Sequence, residues 1–111
     1  MIYRNLTPHA ITIITEHAEI TVPPEPPTPR IVDEITASGV DTIDRHQVPI
    51  LQIRQLGPTD LPDPRPGIGL IVPRIIAVDQ PARTDLYVPT DFVRDSSGRP
   101  IGCRALARIQ P

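Results

Sequence analysis

The polar residues best placed for chemistry stand at the start of the chain. Asn5, Thr7 and His9 alternate by two, so in an extended segment their side chains point to one side. An amide, a hydroxyl and an imidazole converging there could hold a ligand or move a proton. The local alternative is a turn, with Asn5 and Thr7 closing the backbone before Pro8. Cys103 is the single cysteine. With His9 it would make a thiol nucleophile and its base. It stands, however, in an apolar strand pattern beside Gly102, where a free Cys acts as a small buried hydrophobe. His9, His17 and His46 match no compact metal-ligand spacing. Gly67-Ile68-Gly69 opens a strand and does not join strand to helix, so it lacks the context of a dinucleotide-binding loop.

The remaining candidates are cationic. Arg94, Arg99, Arg104 and Arg108 gather near the C-terminus. Guanidinium groups grip phosphates and carboxylates in pairs of hydrogen bonds. Arg94, Arg99 and Arg104, together with Asn5, Thr7 and His9, are therefore the expected ligand-binding set. The structural alternative is a solvated strand face that discourages edge-to-edge aggregation.

Composition narrows the function classes. All 11 basic residues are Arg, which excludes a Schiff-base lysine and a P-loop lysine. Aromatic content is 3%, too little for a stacking platform on single-stranded nucleic acid. The net charge of -2 supplies no overall attraction to DNA or membrane. Its distribution is uneven: residues 1–64 hold four Arg and nine acids, and residues 65–111 hold seven Arg and four Asp. No run approaches the ~20 apolar residues of a spanning helix, and no leader-like stretch opens the chain, so a cytoplasmic location is expected. No cofactor is expected.

The elements that must position these residues are short, because 16 prolines in 111 residues interrupt long ones. Strands are predicted at 10–15 and 18–22, joined at Glu16-His17 by a looser turn, since neither residue favours positive φ. Pro23 to Pro29 reads as a stiff connector. Strands at 30–36 and 48–54 follow, with loops at 37–47 and 55–66. Leu61 is the expected buried anchor of the second loop. Gly67–Val72 reads as a central strand buried on both faces. A short helix, Pro73–Gln80, comes next, with Pro73 in its first position and Ile75, Ile76 and Asp79 near one face with Val72. Asp85–Val88 is a strand stopped by Pro89. Asp95-Ser96-Ser97-Gly98 is strong turn chemistry for a closing hairpin. The expectation is one α+β domain over residues 1–111. It is small and β-rich, with one short helix after a buried central strand and a C-terminal hairpin.

The opening Asn5-Leu6-Thr7-Pro8-His9-Ala10-Ile11 resembles a group of small uncharacterised actinobacterial and phage or prophage proteins. So do Asp85-Leu86, Val88-Pro89, Val93-Arg94-Asp95, Gly98 and Ile101-Gly102-Cys103-Arg104. The resemblance covers both ends of the chain and much of its second half. It implies a phage-type accessory role and supplies no catalytic residue. The residues and the resemblance together predict a non-enzymatic, oligomeric binding module. Its ligand would be small, anionic and nucleotide-like, such as a host defence signal, or else an acidic partner surface. The alternatives are a small hydrolase or lyase using His9 with Cys103 or Asp95, and a structural or assembly protein of a phage.

Overall fold

The computed structural model describes residues 1–110, which form eight strands and one helix. The strands are β1 (Ile2–Asn5), β2 (Ile11–Ile14), β3 (Glu19–Val22), β4 (Arg30–Ile43), β5 (His46–Thr59), β6 (Ile68–Ile71), β7 (Leu86–Arg94) and β8 (Pro100–Ala107). The helix α1 spans Arg74–Asp79 and lies between β6 and β7. Six strands make a mixed sheet in the order β1-β6-β7-β8-β2-β3. A bridge from Asn5 to Pro24 brings its two outer strands together, and the Glu25 N–H donates to the Asn5 carbonyl at 2.7 Å. The body is thus a nearly closed sheet.

The central strand is β6, which pairs in parallel with both β1 and β7. Leu70, Ile71 and Val72 are buried, as a bounded apolar run predicts. A parallel return needs about a dozen residues, and α1 sits within the 14 between Ile71 and Leu86. Pro73 caps this helix and is not its first residue. Its buried side chains are Ile76 and Ala77, whereas Ile75 is 55% exposed. Of the expected face, Val72 and Ile76 are buried and Asp79 is half-buried, while Ala77 and not Ile75 is buried beside them. Leu6, Leu70, Val72, Ile76, Leu86 and Val88 form the core, with Ile31 and Leu61 packed against it.

The strand expected to stop at Pro89 runs on to Arg94. The Tyr87 carbonyl accepts from the Val72 N–H, so the odd-numbered backbone groups of β7 face β6. Beyond Tyr87 that neighbour has ended. Pro89 therefore lacks its N–H where no strand would receive it. The β7–β8 hairpin closes as expected, with the Asp95 carboxylate accepting from the N–H groups of Ser97 and Arg99.

The larger correction concerns residues 37–47 and 55–66. Most of the first loop is strand. β4 and β5 are 14 residues each and pair from Arg30↔Thr59 to Ile43↔His46. At about 3.3 Å per residue this ribbon is ~46 Å long. Asp44 and Arg45 form its tip, both with positive φ, the geometry of a two-residue hairpin turn. Ser38-Gly39, expected inside the loop, is a bulge: the register shifts between Ala37 and Gly39, where the strand takes one extra residue and continues. The second loop begins later than expected, since β5 reaches Thr59. Pro23 to Pro29 is a connector, as predicted, apart from its bridge at Pro24.

Candidate functional site

Asn5 is fully buried, and its amide is fully committed. Nδ2 donates to the carbonyls of His9 at 2.8 Å and Val22 at 3.0 Å. Oδ1 accepts from the Thr7 N–H at 2.9 Å and from the Thr7 hydroxyl at 2.6 Å. One side chain thus ties the end of β1, the loop that follows and the end of β3. These are the places where the sheet closes. Arg4 and Glu25 bridge the same seam at 2.7 Å. Of the Asn5, Thr7 and His9 trio, only His9 keeps an exposed side chain with no bond of its own.

His9 borders a depression of about 370 Å³ lined also by Ile11, Pro89, Phe92, Pro100, Ile101 and Cys103. The lining is mostly apolar. The opening segment therefore does approach the closing hairpin, because β2 runs parallel to β8 with Ile13 opposite Cys103. None of Arg94, Arg99 and Arg104 lines the depression, although Arg99 is the neighbour in sequence of the lining residue Pro100. Arg94 donates to the Gly98 carbonyl at 3.0 Å, and Arg104 stands 3.5 Å from Asp91.

Cys103 shares this depression with His9, but its environment opposes nucleophilic chemistry. The residue is 1% exposed. Burial pushes the thiol pKa up, against smaller opposing effects of backbone hydrogen bonds. A reactive Cys needs the opposite, a stabilised thiolate. Asp95, the other proposed partner of His9, is spent on its turn. Among the described residues no group of three His, Cys, Asp or Glu side chains is arranged to hold a metal. Nor, among the described residues, is any helix long and apolar enough to cross a membrane. No family model, curated protein or solved structure matches the chain.

The surface that sequence reasoning missed is the β4–β5 arm. Its root is fixed by Ile31, which packs on the core. Beyond the root it leaves the body. The radius of gyration is 18.4 Å, against about 13 Å for a compact chain of this length. Val32, Ile35, Val40, Ile43, Ile50, Leu51, Ile53 and Leu56 are all exposed, from 38% at Val32 to 65% at Ile53. The signal was present only in part: Leu51 and Ile53 alternate with Gln52 and Arg54, but Ile50 interrupts the pattern.

Proposed function

We propose that this chain is a non-enzymatic, phage-type accessory module that works as an assembly of copies. The observation that carries this reading is the exposed apolar arm. A two-stranded ribbon is marginal in water on its own. Here it bares eight large apolar side chains. The chain's accessible surface is 8086 Å², whereas a compact monomer of its mass would show about 6,000 Å². The excess of roughly 2,000 Å² belongs to a surface that association would cover. Amide hydrogen exchange tests this. Residues 32–56 should be protected, and more so as protomer concentration rises. Fast, concentration-independent exchange along the arm would overturn the reading.

A second reading, binding of a small anionic nucleotide-like ligand, is favoured by one observation. His9 and the residue next to Arg99 border one depression, whose volume lies within the usual range for ligand pockets. Its apolar floor suits a base, and His9 at its border, with Arg99 one residue beyond the lining, suits a phosphate. A thermal shift with AMP that is lost in His9→Ala and Arg99→Ala would support it. No shift across a panel of nucleoside phosphates would sink it.

A further inference from the structure

Resting on the reading of the chain as an assembly, we propose that the arms of two copies pack on each other through one face about a two-fold axis. Register defines that face. Ile35 lies opposite Ile53, Ala37 opposite Leu51 and Val40 opposite Pro49, and all six share one side of the ribbon. The other side carries Glu34 opposite Arg54 and Thr36 opposite Gln52 along the same stretch. One face is thus apolar over three cross-strand pairs, and its reverse mixes these polar pairs with Ile50 opposite Gly39.

The order of pairs along the apolar face has the symmetry that a self-contact needs. Ala37/Leu51 is central. One step towards the root is Ile35/Ile53, and one step towards the tip is Val40/Pro49. Two steps out, both ends turn polar, with Asp33/Gln55 at the root side and Thr42/Gln47 at the tip side. Two such faces laid antiparallel place apolar pairs on apolar pairs and polar ends on polar ends. A two-fold contact requires this self-complementarity. The area agrees. The excess of roughly 2,000 Å² leaves room for the ~800 Å² each partner contributes to a stable interface. Charge points away from nucleic acid, since residues 30–59 hold four acids and three Arg.

The central position gives the test. Leu51→Cys places a thiol beside the axis, next to its own copy. Under mild oxidation by diamide the full chain should become a covalent dimer on a non-reducing gel. Gln52→Cys, on the reverse face, should stay uncoupled, and the native Cys103 is buried in both. Leu51→Glu, at a site already 55% exposed, should leave the body folded and weaken association at least about a hundredfold, because two like charges meet at the axis. An uncoupled Leu51→Cys, or equal coupling of Gln52→Cys, overturns the pairing. If the native chain is monomeric, the assembly reading falls as well. If it associates and Leu51→Cys stays uncoupled, only this face is wrong.

Discussion

Replacing Asn5 tests whether one buried amide holds the sheet closed. In Asn5→Ala the Thr7 N–H and the Val22 carbonyl lose their partner where water has little access. The His9 carbonyl lies at a more exposed residue and can recruit solvent. Two stranded polar groups at about 1–3 kcal/mol each, less some relaxation, make a loss of about 3 kcal/mol. With a urea slope of about 1.5 kcal/mol per molar, the unfolding midpoint should fall by about 2 M at fixed protomer concentration. Asn5→Asp sharpens the argument. Its carboxylate would point at the His9 and Val22 carbonyls, now 2.8 and 3.0 Å from a donor. Two acceptors and burial favour the protonated acid, so its folded pKa would lie above the unfolded value of about 3.9. The variant should therefore come nearest to native stability below pH ~4 and lose ground as pH rises through the folded pKa. Circular dichroism during urea titration, at several pH values, reads both effects. An Asn5→Ala loss below about 0.5 kcal/mol, or an Asn5→Asp penalty independent of pH, would refute the clamp.

Three other expectations follow from single contacts. Gly69→Ala would set a Cβ 2.7 Å from the Tyr3 ring and 2.9 Å from the Tyr87 ring, so it should cost about 1–3 kcal/mol in a urea titration. Arg83 bonds Asp85 through Nε and Nη2, both at 2.8 Å, and also reaches the Pro62 carbonyl, so Arg83→Met should cost about 2 kcal/mol at pH 7. The Arg83 partner holds the Asp85 carboxyl below its usual range. That stability is present above the unfolded pKa and lost as pH falls through the folded one, so native and variant melting curves should converge in acid. The Cys103 thiol should resist a disulfide reagent at pH 7–8 in the native protein and react at once in denaturant; fast native labelling would contradict its burial.

Much of the body was legible because its cues are local. Gly67–Val72 is a bounded apolar run, and Asp95–Gly98 is turn chemistry that needs no distant partner. The arm was only half legible. Its apolar alternation is visible on β5 only in part, Ser38-Gly39 reads as loop and is a bulge, and the true turn at Asp44-Arg45 lacks the glycine that announces such a tip. The Asn5 clamp was legible in part: the local turn closed by Asn5 and Thr7, offered beside the one-sided trio, is present in their hydrogen bonds. The decisive partner, the Val22 carbonyl, lies 17 residues away and becomes a neighbour only when the sheet closes.

The central claim is that the arm is an interface between copies. Sedimentation equilibrium of the native chain over a range of concentrations tests it most directly. The account predicts a mass of at least twice 12.2 kDa, falling towards 12.2 kDa in Leu51→Glu. A native chain that stays at 12.2 kDa up to high concentration would contradict it.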